Sequence, residues 1–369
     1  MKKERLIYLD LIRILCIFLV IVIHGVAPII VKSKVVLSYN YVTMIIIDSI
    51  CRCSVPLFVM VSGSLLLGNK KSTSYKKILS KIIKLLISLI AFSFFYNIVD
   101  KLFRGETFGI DFMKDSVRFI LSGNQLNHLW FIYMIIGLYL LIPILNRIIS
   151  CVEKKEIIYY FVLTIIFSSL IPMALSFTKF STYQVFSKFN LGVFNIYIAY
   201  FLLGYYLNRL SLNKNQIKKT YVLGLLSLFI TIIMTLLFSM KRNTFCGIFF
   251  EYSSLNVFIY SIFAFIFLKN CFSKISVSEK MKKSITEVSL LTFGVFLIHE
   301  FIIDIFTVYY NTLFNKMRLD FPLIGTLIFS IFIFFVSLLV SFIISKIPIL
   351  NEYLIYYKSK TKKESLVVK

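Results

Sequence analysis

The chain has 369 residues, of which 59% are hydrophobic and 17% aromatic, and it carries a formal net charge of +24. Soluble domains contain about 45–50% apolar residues, and here the excess falls in blocks of about 20 residues, the length that crosses a bilayer. This composition excludes a soluble enzyme, and it argues against nucleic-acid binding because no basic soluble domain is present.

Ten apolar blocks follow one another along the chain and predict an all-α fold, a polytopic membrane bundle of about ten transmembrane helices. The first block is longer than the core of a signal peptide and contains charged residues, so we expect it to be retained. The blocks are about 6–30, 41–67, 82–100, 128–149, 157–176, 191–208, 219–240, 252–269, 288–310 and 322–345.

The distribution of basic residues predicts the orientation of the bundle. Most of the 41 Lys and Arg lie near the N-terminus, near the C-terminus and in alternate connecting segments, which are therefore assigned to the cytoplasmic side. Both termini are then cytoplasmic, and the chain divides into a transmembrane domain, 1–347, and a basic tail, 348–369. We expect contact with the lipid bilayer and six free cysteine thiols.

The first block contains three polar residues within "DLIRILCIFLVIVIH", namely Asp10, Arg13 and His24. Arg13 and His24 are eleven positions apart, which is a rotation of about 20° beyond three full turns. Asp10, Arg13 and His24 therefore form one stripe, which rises roughly 16 Å from Arg13 to His24. Taken alone, Arg13 could extend to headgroups and His24 could be a packed core residue. A polar stripe in lipid, however, must face the bundle or a cavity.

The second block, "DSICRCSVPLFVMVSG", places Asp48 and Arg52 four residues apart, a spacing that favours an ion pair. Pro56 interrupts this block, and Ser62 with Gly63 lies near its end, where helices kink or approach closely.

Two later blocks add further candidate pocket residues. The fourth opens with His128 and Trp130, the only tryptophan, which could be either an interfacial anchor or a pocket residue. The ninth contains "FGVFLIHEFIID", in which His299 and Glu300 are adjacent. Acids in apolar surroundings must be paired, neutral or hydrated.

Five segments, in this order, resemble the acyltransferase 3 family of bacterial membrane enzymes. They are the Arg13-to-His24 spacing, "SVPLFVMVSG", "HLWFIYMIIGLYLLIPIL", "YFLLGYYL" and "FGVFLIHE". The resemblance implies a protein of the bacterial cytoplasmic membrane. It also implies transfer of an acyl group, usually acetyl from acetyl-CoA, to hydroxyls or sometimes amines of surface glycans or their lipid-linked precursors.

The resemblance also implies roles for individual residues. His24 corresponds to the essential histidine and Arg13 to its partner. Lys81 and Lys84, in "SKIIKLL", stand where the family usually has two arginines, and lysine keeps the charge without the bidentate fork. The family's usual His-Pro pair is His299-Glu300 here, and we expect no attached esterase-like domain.

The expected mechanism uses a cationic cytoplasmic mouth, formed by Arg13, Lys81 and Lys84, to hold the phosphates of CoA. His24 would then act as general base on the acceptor hydroxyl, with Asp10 or the Asp48–Arg52 pair orienting the site. Acyl-CoA is a co-substrate, no tightly bound cofactor or metal is expected, and a homodimer is compatible. The alternatives are a glycan transporter or flippase, which intramembrane charges also fit, and a sensory or scaffolding domain.

Overall fold

A computed structural model of the chain describes residues 6–33, 38–68, 74–105, 128–178, 192–309 and 311–355, with isolated positions between 114 and 120. The described residues are almost entirely helical and contain no strand. The helices are α1 Ile7–Lys32, α2 Tyr39–Cys51, α3 Ser54–Leu66, α4 Tyr75–Arg104, α5 Trp130–Cys151, α6 Lys154–Ile165, α7 Ile171–Leu175, α8 Ile196–Arg209, α9 Lys214–Arg242, α10 Leu255–Phe272, α11 Glu279–Tyr309, α12 Asn311–Asp320, α13 Pro322–Ser345 and α14 Pro348–Leu350.

Nine helical stretches among these residues are long and apolar enough to cross a membrane, which confirms an all-α polytopic bundle. The predicted block at 191–208 corresponds to α8. Its 14 residues rise roughly 21 Å, less than the hydrocarbon thickness of about 30 Å. The helix begins late because Asn195 caps it, with its side chain accepting a hydrogen bond from the backbone of Tyr197 at 2.8 Å.

The second apolar block is a broken helix, since α2 ends at Cys51 and α3 begins at Ser54. Pro56 has no backbone N–H, and its ring would collide with the carbonyl of Arg52 four residues earlier in a continuous helix. The break turns the chain beside Arg52, a predicted pocket residue.

Helix α1 lies at the centre of the bundle and packs against α2, α3, α10, α11 and α13. Ile12, Ile17 and Ile21 are fully buried, as expected for a helix that other helices surround. The polar groups in this central part of α1 therefore face another helix or a cavity. The six cysteines form no disulfide.

Two glycines allow α3 and α8 to approach closely. A Cβ on Gly63 would overlap the carbonyl oxygen of Phe201, and a Cβ on Gly204 would overlap that of Met60. The hydroxyl of Ser64 uses this proximity to donate to the carbonyl of Gly204 at 2.7 Å. Close packing at small residues is typical of membrane helices.

The segment predicted as a cytoplasmic tail starts with ordered structure. After α14, residues Asn351–Ile355 form a π-helical turn that packs against α4. Ser88 donates to the carbonyl of Tyr353 at 3.1 Å, and Glu352 lies 4.0 Å from Lys84. The basic stretch at 358–369 lies outside the described residues.

Candidate active site

The polar stripe of α1 faces α11 along its whole length. Ser289 of α11 donates to Asp10 Oδ1 at 2.7 Å, and Arg13 Nη1 lies 3.5 Å from the same Ser289 hydroxyl. Further along the two helices, His24 Nδ1 lies 3.0 Å from Glu300 Oε2. The prediction that the stripe faces the bundle is confirmed.

The His24–Glu300 contact defines the orientation of the imidazole. A carboxylate only accepts hydrogen bonds when ionised, so its position beside Nδ1 favours the proton on Nδ1 and leaves Nε2 able to accept a proton. The two side chains are only 18% and 16% exposed, which strengthens their attraction relative to water. With its imidazole held in this way, His24 could act as a general base.

All three histidines of the chain meet at this point. The ring of His299 lies 5.2 Å from those of both His24 and His128, and the His24 and His128 rings are 6.3 Å apart, measured between centroids. His299 Nδ1 is 2.7 Å from the carbonyl oxygen of Phe296. Among the described residues, His299 Nε2 and both nitrogens of His128 are buried without a hydrogen-bond partner. Buried polar atoms in this state commonly bind water or a ligand.

One nitrogen each of His24 and His299 and a carboxylate oxygen of Glu300 lie within 4.8 Å of one another. Imidazole and carboxylate together suit zinc or another transition metal, so these residues could hold one. The linear sequence did not indicate this cluster, because its members come from two helices far apart in the chain. The expectation that no metal takes part remains a prediction.

His24, His128 and Glu300 line a cavity of about 430 Å³, here termed the histidine pocket, and His299 lies buried behind His24. The pocket reaches the surface beside Pro28 and Val31, which are exposed near the C-terminal end of α1. Its walls are mainly apolar and aromatic, as in most small-molecule sites. Its lining includes His24, Arg52, Phe58, His128, Trp130, Phe131, Tyr252, Phe296 and Glu300.

Arg52 and Asp48 form the ion pair that their spacing predicts, with Nη2 2.6 Å from Oδ2. Asp48 is buried, and the guanidinium of Arg52 lies 4.6 Å from the centre of the Phe250 ring. Trp130 lies in the pocket wall with its ring 6.1 Å from that of Tyr252, so its position supports a pocket role beyond that of a membrane anchor.

A second cavity, of about 700 Å³, is lined by four further predicted residues and is here termed the basic pocket. Arg13 and Ser62 line it together with Lys81 and Lys84 of α4. The ammonium of Lys81 lies 5.8 Å from the centre of the Tyr139 ring. Such a concentration of cations within one cavity favours an anionic ligand.

Sequence reasoning missed two further lysines of this pocket, Lys76 and Lys77. They lie in the first turns of α4, before the apolar block at 82–100 from which the helix was predicted. The helical spacing of Lys77, Lys81 and Lys84 was the signal available to find them.

Arg318 of α12 is a buried residue that the sequence did not single out. Its Nη1 donates to the carbonyl of Gly25 at 2.7 Å, and its guanidinium lies 4.2 Å from the centre of the Phe329 ring. Burial lowers its pKa to about 10, so it stays charged at neutral pH. Arg318 thereby fixes the backbone of α1 beside His24.

The predicted site is thus divided between two pockets along one helix. The first half of the α1 stripe, Asp10 and Arg13, lies at the basic pocket, and His24 lies at the histidine pocket. Ser62, Lys81 and Lys84 line the basic pocket. Arg52, His128, Trp130 and Glu300 line the histidine pocket, with Asp48 behind Arg52 and His299 behind His24.

The family model of acyltransferase 3, described as an acyltransferase domain, matches residues 6–346. That range contains both pockets and all of their lining residues. No curated protein and no solved structure matches the chain.

Proposed function

Because the chain belongs to the acyltransferase 3 family and is a multi-pass membrane acyltransferase, we propose that it transfers acetyl from cytoplasmic acetyl-CoA to a hydroxyl group. The acceptor we propose is a cell-surface polysaccharide or its lipid-linked precursor, at the cytoplasmic membrane of a bacterium. The observation that carries this proposal is the His24–Glu300 pair, which lines an aromatic pocket adjacent to a cationic one.

The basic pocket supports a donor with several phosphates. Arg13, Lys76, Lys77, Lys81 and Lys84 surround one cavity, and charge-assisted hydrogen bonds from such groups to phosphate are about twice as strong as neutral ones. In the orientation predicted from the basic residues, this pocket faces the cytoplasm, where acyl-CoA is made.

In the proposed reaction, His24 Nε2 takes the proton of the acceptor hydroxyl while the oxygen attacks the thioester carbon. The new C–O ester bond forms, the C–S bond breaks, and the proton passes from His24 to the departing CoA sulfur. Glu300 keeps the imidazole in the reactive tautomer and stabilises the imidazolium that forms during proton transfer. No protein-bound acyl intermediate is required.

The histidine pocket supports an acceptor that carries hydroxyl groups on a ring. Trp130 and Tyr252 supply aromatic faces, and the Asp48–Arg52 pair supplies charge close to them. The opening near Pro28 and Val31 lies at the end of α1 opposite Arg13, so donor and acceptor would enter from opposite sides of the membrane.

The experiment uses purified protein in proteoliposomes with acetyl-CoA labelled in the acetyl group, and a membrane glycan extract as acceptor. Wild-type protein should transfer label to the extract and release CoA, whereas His24→Ala should release none while keeping its elution volume and thermal unfolding. Transfer at the normal rate by His24→Ala would contradict the proposed base. Absence of transfer from both proteins would favour glycan transport through the two pockets.

Donor binding is tested by the double substitution Lys81→Ala with Lys84→Ala. Each charged hydrogen bond contributes about 1.5–3 kcal/mol, so the KM for acetyl-CoA should rise at least about tenfold. Lys218→Ala, an exposed position near the start of α9, is the matched control. An unchanged KM in the double variant would exclude this pocket as the phosphate site.

A further inference from the structure

The basic pocket and the histidine pocket share one aromatic wall. Phe58 of α3 and Phe131 of α5 line both cavities, and their rings meet edge to face with centroids 5.8 Å apart. Phe131 also contacts Phe296 of α11 at 5.3 Å between centroids. We refer to Phe58, Phe131 and Phe296 as the aromatic partition.

The partition separates the donor charges from the base. Arg13 lies at one side and His24 at the other, on the same face of α1 and roughly 16 Å apart along its axis. In the proposed reaction the thioester carbon must come within about 3–3.5 Å of the acceptor oxygen beside His24. A donor anchored by its phosphates in the basic pocket therefore brings its acyl end against these three rings.

Phe131 is the central ring, and it contacts the rings of Phe58 and Phe296 at distances typical of packed aromatic pairs. The three rings offer no hydrogen-bonding atom, so they can recognise an acyl group only by its size and apolar surface. Phe293, whose ring stacks 6.3 Å from that of Phe296, supports the wall from the basic pocket. A ring that is packed against neighbours on several sides cannot shift far enough to make room for an additional methylene group.

Resting on the proposed function, we propose that the aromatic partition is the acyl subsite and selects short-chain acyl-CoA by leaving no room for longer chains. A hydrophobic pocket discriminates one methylene group by about 10–200-fold, so acetyl should be preferred strongly over butyryl and hexanoyl. Removing one ring should widen the subsite and relax this preference.

The test measures kcat/KM for acetyl-, butyryl- and hexanoyl-CoA with the full chain in proteoliposomes, following release of the CoA thiol. In the presence of glycan extract the acyl group passes to a hydroxyl. Without acceptor, water attacks the thioester and the acyl group leaves as the free acid. The wild type should lose at least about tenfold in kcat/KM from acetyl to butyryl.

Phe58→Ala should raise the ratio of hexanoyl to acetyl kcat/KM at least about tenfold. Phe263→Ala, which truncates a half-buried ring of α10 that lines neither pocket, should keep the wild-type ratio. If Phe58→Ala does not fold, Phe58→Leu and Phe131→Leu make the same test with less loss of volume, and thermal unfolding verifies each variant.

The experiment can overturn either the acyl subsite alone or the proposed function as a whole. Folded Phe58 and Phe131 variants with wild-type chain-length ratios, or a wild type that uses hexanoyl-CoA as well as acetyl-CoA, would reject the subsite and leave the acetyl transfer standing. No thiol release by the wild type from any acyl-CoA would reject the proposed function itself, and the subsite with it.

Discussion

Replacing Glu300 by glutamine tests the chemistry of the site most directly. The substitution keeps the size of the side chain but removes the charge that lies 3.0 Å from His24 Nδ1. The new amide can also donate to Nδ1, which would place the imidazole proton on Nε2 and remove the lone pair needed by a base. We therefore expect Glu300→Gln to bind acetyl-CoA normally and to transfer its acetyl group slowly.

The expected magnitude follows from the distance. Opposite unit charges 3.0 Å apart attract by about 5.5 kcal/mol at an effective dielectric constant of about 20. Both side chains retain some exposure to water, which weakens this attraction. A loss of about 3–5 kcal/mol of transition-state stabilisation remains, equivalent to about 10²–10⁴-fold in kcat. Replacing the triad aspartate of a serine protease has an effect near the upper end of this range.

The assay compares kcat and KM for acetyl-CoA in Glu300→Gln and in Asp304→Asn. Asp304 is a half-buried acid one turn further along α11 and provides the matched control, which should stay near the wild-type rate. A large fall in kcat with an unchanged KM supports the orienting role of Glu300. Equal activity of Glu300→Gln and wild type would refute the reasoning, and a fall confined to KM would place Glu300 in substrate binding instead.

Three further predictions concern the stability of the bundle and the need for a metal. Asp48→Asn removes the buried partner of the half-buried Arg52 and should lower the free energy of unfolding by about 1.5–3 kcal/mol. Asp100→Asn breaks an exposed pair and should cost less than about 1 kcal/mol; equal shifts in thermal unfolding would contradict this difference. Gly204→Ala should lower the unfolding temperature because the added Cβ overlaps the backbone of α3. In the control Gly137→Ala the added Cβ has no atom within 4 Å, so this change should be neutral or stabilising by about 0.5–1 kcal/mol. Chelator treatment should leave acetyl transfer unchanged, which is checked by the transfer assay together with metal analysis of the purified protein. Activity that is lost on chelation and restored by zinc would make His24 and Glu300 metal ligands.

Helical periodicity predicted those features that belong to one helix. The 3.6-residue repeat places Asp10, Arg13 and His24 on one face and pairs Asp48 with Arg52, and the structure contains both arrangements. Hydropathy likewise located most of the spans, since each apolar block has a length set by the bilayer. Block 191–208 was the exception, because a short helix and a membrane span share the same composition.

Contacts between helices were beyond the reach of periodicity. The repeat indicates that His24 must face a partner, but it does not indicate which helix lies opposite, so the contact with Glu300 emerged only from the fold. The aromatic partition was hidden for another reason. The chain contains 39 phenylalanines, and nothing in the local sequence distinguishes Phe58 or Phe131 from those that face lipid.

The separation between the pockets constrains the donor itself. Arg13 and His24 are held on one rigid helix, and α11 contacts that helix at both positions through Ser289 and Glu300. Sliding of one helix past the other would break both contacts at once, so the distance between Arg13, a proposed phosphate ligand, and His24, the proposed base, is essentially constant. A donor that uses both must carry its anionic end and its acyl group on the two ends of a long flexible arm, as CoA does. A small activated acetyl compound could occupy one pocket only, and it would lose the remote binding energy that orients the reacting carbon.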